Sequence, residues 1–137
     1  MAIDEELSQA IERVHDALTA MRRGDRQPYA DCWLDSPDAT LFGAWGPIEH
    51  GSEAVVNTFK WVGSRFTGGE ALTEDVVVAA SGDLAYTVGF ERGPAAVDGG
   101  PEREMVIRVT HVYRRVDGRW GLVHRHADFP PQDQRMG

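Results

Sequence analysis

Apolar side chains recur every three to four positions through Ile3, Leu7, Ile11, Val14, Leu18 and Met21, a spacing that predicts one long amphipathic helix. Asp4 stands where an N-cap belongs, and Arg22-Arg23-Gly24 supplies the basic last turn and the glycine at which such a helix stops. Residues 25–35 predict a shorter second helix with Tyr29, Cys32 and Trp33 on its core face, broken at Ser36-Pro37 because the residue before proline avoids helical geometry. Ala39 to Trp45 read as a strand and Gly46-Pro47 as a turn. Ser52 is the expected cap of a third helix, whose Val55, Phe59, Val62 and Phe66 make one apolar face.

From Leu72 onward the pattern changes to alternation. Glu74–Ala80 and Leu84–Glu91 predict hairpin strands about a Ser81-Gly82-Asp83 turn, and a Gly/Pro-rich loop spans Gly93 to Pro101. Two longer strands, Glu104–Arg115 and Trp120–Asp128, flank an Asp117-Gly118 turn. Helices followed by a run of strands predict an α+β fold with a mostly antiparallel sheet, the helices covering one face. The expectation is one domain over residues 1–137, with a structured core of about 3–129 and a frayed tail from residue 130.

Composition narrows the functional classes. A hydrophobic share of 42% and a charged share of 26% are those of an ordinary globular chain, and no apolar run reaches the length of a membrane helix. The net charge of −8 repels polyphosphate, and the arginines between Arg103 and Arg125 alternate to both faces of their strands, so no nucleic-acid-binding stripe forms. Cys32 is the single cysteine, which excludes an internal disulfide and a cysteine metal pair. Met1 to Glu6 is acidic where an export signal is basic and then apolar, which makes the cytoplasm the expected compartment. Nothing in the chain calls for a cofactor.

Four motifs occur in a specific order: Arg23-Gly24-Asp25, Pro37-Asp38-Ala39-Thr40, Gly46-Pro47-Ile48-Glu49-His50-Gly51, and Asp117-Gly118-Arg119-Trp120 followed by Val123-His124-Arg125-His126. That order resembles the SnoaL-like, nuclear-transport-factor-2-like superfamily, which includes ketosteroid isomerases and polyketide cyclases, and the resemblance covers nearly the whole chain. The closing segment also looks like the association domain of calcium/calmodulin-dependent kinases, a non-catalytic assembly module. The resemblance implies a cone in which three N-terminal helices pack in the concave face of a curved, mixed sheet. Aligned with the isomerases, the chain carries Ala17, Gly43 and Thr110 where their tyrosine, base aspartate and oxyanion-hole aspartate belong, so that chemistry is not expected.

In such a cone one face of every strand points inward. The resemblance aims Leu41, Gly43 and Trp45 into it, and alternation groups Tyr86 with Val88 and Phe90, and Arg108 with Thr110. With Trp33, Phe59 and Phe66 these residues would line a mostly apolar pocket, the usual anatomy of a small-ligand site, although aromatics at such spacing also simply fill cores. Arg125 falls on the inward parity of the last strand. Arg108 and Arg125 together would grip a carboxylate, unless each is paired with a carboxylate such as Glu91 or Glu104. His124, His126 and Asp128 fall on the opposite face with His111 nearby, a metal-like spacing for which buried interface histidines are the plainer explanation, and no metal is assigned. A one-residue bulge would instead turn His126 and Asp128 inward as an acid/base pair. Two functions stay open: a homodimeric small-molecule-binding protein for an apolar organic acid or polyketide-like compound, with isomerase, cyclase or hydrolase activity as an option, and a non-catalytic oligomerisation module. The dimer would form through the outer sheet face.

Overall fold

The long amphipathic segment forms α1 (Glu5–Arg22) in the computed structural model, which describes residues 4–131. Asp4 caps it, its carboxylate accepting from the Leu7 amide at 2.6 Å. Leu7, Val14 and Leu18 on its inner stripe are buried against the sheet. The expected frayed tail lies, from residue 132 onward, outside the described residues.

The chain continues through α2 (Gln27–Asp31), β1 (Thr40–Phe42), β2 (Ile48–His50), α3 (Ser52–Arg65), β3 (Phe66–Gly69), β4 (Leu72–Ser81), β5 (Leu84–Val97), β6 (Arg103–Val116) and β7 (Arg119–Asp128). One sheet runs β2-β1-β7-β6-β5-β3, and β4 also pairs with β5. Every pairing between these strands is antiparallel except β1 with β7, which sets Leu41 beside Arg125. The result is an α+β fold in which a curled, mixed half-barrel closes over helices on one side. Only α1 and α2 precede the sheet, because α3 follows the β1–β2 hairpin.

Several boundaries differ from expectation. The second helix is five residues long because the chain after it is captured by β7 in a parallel bridge: Leu34 N donates to Leu122 O at 3.0 Å and Leu122 N to Cys32 O at 2.8 Å. Gly51, not Ser52, caps α3, while the Ser52 hydroxyl accepts from Ser36 N and donates to Asp35. Phe66 leaves the helix and begins β3, whose pairing with Ala95–Val97 turns part of the expected Gly/Pro loop into strand. Gly69 makes this possible, since at φ 126° a Cβ there would lie 2.1 Å from the Pro94 carbonyl oxygen. The Asp117-Gly118 turn is as expected, with both residues at positive φ.

Candidate functional site

Pairing through β5, β6 and β7 decides which side chains face the helices. On β5 the inward set is Ala85, Thr87 and Glu91, so Tyr86, Val88 and Phe90 face away, opposite to the expected parity; Tyr86 is 45% exposed. On β6, His111 and Tyr113 face inward, and Arg108 and Thr110 lie on the outer face. The alternation was read correctly; its phase was wrong, because both faces of β5 carry apolar residues and only burial distinguishes them. Arg108 therefore cannot join Arg125. It makes a bidentate pair with Asp128, both bonds 2.7 Å, on the outer face, where the guanidinium holds the Asp128 carboxyl below its ordinary range.

The last strand does contain a bulge. Val112 pairs with His124 and Tyr113 with Leu122, which leaves Val123 as the extra residue. It lies upstream of the histidines, so Arg125 and Ala127 point inward while His126 and Asp128 stay on the outer face. His111, expected beside His124, is buried on the opposite side of the sheet. Among the described residues no three His, Cys, Asp or Glu side chains are grouped to hold a metal ion.

Four polar side chains from three strands and a helix meet beneath the helices. Arg125 donates from Nη1 to Glu91 Oε2 at 2.6 Å and from Nη2 to Glu91 Oε1 at 2.9 Å, both residues being under 10% exposed. His111 Nε2 lies 2.7 Å from the Tyr29 hydroxyl and 3.3 Å from Arg125 Nη1. A guanidinium has only donors, so Nε2 is the bare acceptor of a neutral imidazole and the Tyr29 hydroxyl donates to it. Burial, with the Arg125 charge adding to it, pushes the His111 pKa well below the ordinary value. Burial also raises the Tyr29 phenol pKa. It opposes the charge on Arg125 as well, but Glu91 more than offsets it, so the Arg125 pKa is raised. Sequence reasoning names Glu91 only as a possible arginine partner and misses it as a lining residue, because alternation groups it with Thr87 without saying which way that face points.

This cluster ends a partly open chamber of about 70 Å³. Apolar walls come from Leu18 and Met21 on α1, Leu41 on β1, Phe59 on α3, Phe66 on β3 and Ile107 on β6. Trp45 and Gly43 close one side from the turn after β1, as the alignment implied. Trp33 is not part of the chamber and packs in the core beside Tyr29 and Phe59. Arg22 enters the same charged end from α1, donating to the carbonyls of Glu70 and Gly93 at 3.0 Å and of Glu91 at 3.3 Å. Burial lowers its pKa, against the Glu91 and Glu104 charges, and among the described residues its hydrogen bonds go to these carbonyls and not to a carboxylate. Two guanidiniums and one carboxylate thus line the chamber.

The outer face carries a second arrangement. His124 Nδ1 lies 2.7 Å from the Thr40 hydroxyl, and the His124 and His126 rings are 6.4 Å apart with Phe42 edge-on to both. Phe42, Val76 and Tyr86 leave a broad apolar surface around them.

A SnoaL-like domain family model matches residues 9–132 of this curled half-barrel chain. The chain belongs to that family. A candidate dehydratase of the NTF2-like family from Streptomyces avermitilis is similar in structure at 23% identity and TM-score 0.77, over 93% of this chain and 95% of that one. A nuclear transport factor 2-like superfamily protein from Salmonella enterica matches at 18% identity and TM-score 0.78, over 95% and 92%. A candidate calcium/calmodulin-dependent protein kinase II association domain from Xanthomonas campestris matches at 18% and 0.75, over 97% and 91%. At these identities the likeness is one of fold. No curated protein matches the chain. No helix among the described residues is long and apolar enough to cross a membrane.

Proposed function

We propose that the protein binds a small, mostly apolar organic acid in the chamber, with the acid group at the Arg22–Arg125 end. The observation that carries this reading is the arrangement of charge there: two guanidiniums and one carboxylate line the chamber, Glu91 gives both oxygens to Arg125, and Arg22 hydrogen-bonds backbone carbonyls while Glu91 and Glu104 act on it only through space. A polyketide-like compound bearing one carboxylate fits the same description. Isomerase, cyclase, hydrolase or dehydratase chemistry by acid–base transfer needs a group at the chamber that exchanges a proton near neutral pH. The titratable side chains lining it are Arg22, Tyr29, Glu91 and Arg125, of which Tyr29 has its pKa raised and Glu91 is held bidentately. Binding is accordingly favoured over catalysis.

Thermal shift across small carboxylic acids and their primary amides tests the reading. The acids are expected to bind about tenfold or more tightly, as charge-assisted hydrogen bonds imply. Equal shifts for acid and amide, in protein that remains folded, would remove the anion site.

A second reading concerns assembly. The apolar outer face around Phe42, Val76 and Tyr86 supports a homodimer formed through it, as an assembly module of this fold would use. Sedimentation velocity is expected to show a dimer that Tyr86→Glu disrupts, and a monomer at every concentration would contradict it.

A further inference from the structure

The volume of the chamber has a consequence for what can enter it. At about 70 Å³ it holds a few water molecules, whereas a benzene-sized ring occupies a cavity of about 150 Å³. A ligand with a ring therefore needs one wall to move. Most walls are tied into regular structure: Leu18 and Met21 into an 18-residue helix, and Glu91, Ile107 and Arg125 into the three longest-laddered strands. The turn from Gly43 to Pro47 is different. It is closed by two backbone bonds of its own, Gly43 N to Pro47 O and Gly46 N to Gly43 O, each 2.9 Å. Gly46 sits at φ 103° with open space on its side-chain side.

Trp45 is carried on this turn and is half-buried. Its ring stacks on Phe66 at 5.0 Å, meets Trp61 edge-on at 6.0 Å, and lies 4.3 Å from the Arg65 guanidinium, which Asp98 holds at 3.2 Å. Each such contact biases a side chain by roughly two- to tenfold, enough to favour the inward position without locking it.

We infer that Trp45 is the movable wall of the chamber and sets the largest ligand admitted. This rests on the reading of the chamber as a small-molecule site. With the indole in place the chamber takes small acids; larger ring systems must displace it from Phe66 and Arg65, and lose affinity by the cost of doing so.

The test is isothermal titration of the full chain with butyrate, benzoate and 2-naphthoate and with their primary amides, in wild type, Trp45→Ala and Trp45→Phe. Trp61→Ala tests the restraint alone, because Trp61 touches Trp45 but does not line the chamber. Trp45→Ala is expected to bind 2-naphthoate at least about tenfold more tightly than wild type, with butyrate changed by less than about threefold, and Trp45→Phe and Trp61→Ala intermediate. The same change for all three sizes would overturn the role of Trp45. Amides that bind as well as their acids, with the size ordering kept, would sink the organic-acid reading and leave Trp45 in place. Absence of binding to folded Trp45→Ala by every probe would overturn both.

Discussion

Arg125→Met is expected to lower the stability of the fold by about 3–5 kcal/mol, measured as urea denaturation at neutral pH, because it leaves Glu91 charged and buried without its partner. Glu91→Leu should cost a similar amount for the opposite reason, stranding a guanidinium that no other carboxylate contacts among the described residues. The double variant Glu91→Leu/Arg125→Met should recover most of either loss, since a buried ion pair is often replaceable by apolar side chains of similar volume. Single variants that each cost under about 1 kcal/mol would mean that water reaches the pair. The cycle also separates two roles: if the pair serves the fold alone, acid binding survives in the double variant through Arg22.

The second large effect is a loss of stability in mild acid. The folded-state pKa of His111 lies well below the ordinary value, so between the unfolded pKa and the folded one the unfolded chain binds a proton that the native protein does not. Stability therefore rises with pH through this window and is lost as pH falls below about 6.5, at up to about 1.4 kcal/mol per pH unit. His124, whose pKa is lowered by burial and by His126, adds a smaller contribution of the same sign. Denaturation midpoints of wild type and His111→Gln between pH 7.5 and 5 provide the check. A wild-type slope no steeper than that of the variant would show that the imidazole accepts a proton inside the fold.

Much of the architecture was legible because its signals are local and repeated. Leu7, Ile11, Val14 and Leu18 define α1 by spacing alone, and Asp117-Gly118 defines the last hairpin by its turn chemistry. The motif order located the family, which the match over residues 9–132 shows. The elements that were missed are those made by partners far away in the chain. Ile48–His50 is too short to display alternation and becomes a strand only by lying against Thr40–Phe42. Phe66 continues the apolar face of α3 yet leaves it to pair with Val97. The site suffered from the same limitation in another form. Alternation groups Tyr86 with Val88 and Phe90 without saying which way they face, and an outer face rich in apolar residues conceals the answer. The parity of the last strand carries Arg125 to the inner face, where it meets Glu91, but the meeting of Tyr29 with His111, 82 positions apart, leaves no mark in the sequence.

The parallel pairing of β1 with β7 has a consequence for how the chain reaches its native state. Thr40–Phe42 can add to the sheet only beside His124–His126, and those are among the last residues of the structure to be synthesised. The β6–β7 hairpin can form from neighbouring segments, but the β1–β2 segment must wait for it and close a loop of more than eighty residues. The turn that carries Trp45 is tethered to that late-arriving strand. Its ordering is thus postponed until the strand that holds His124–His126 is in place.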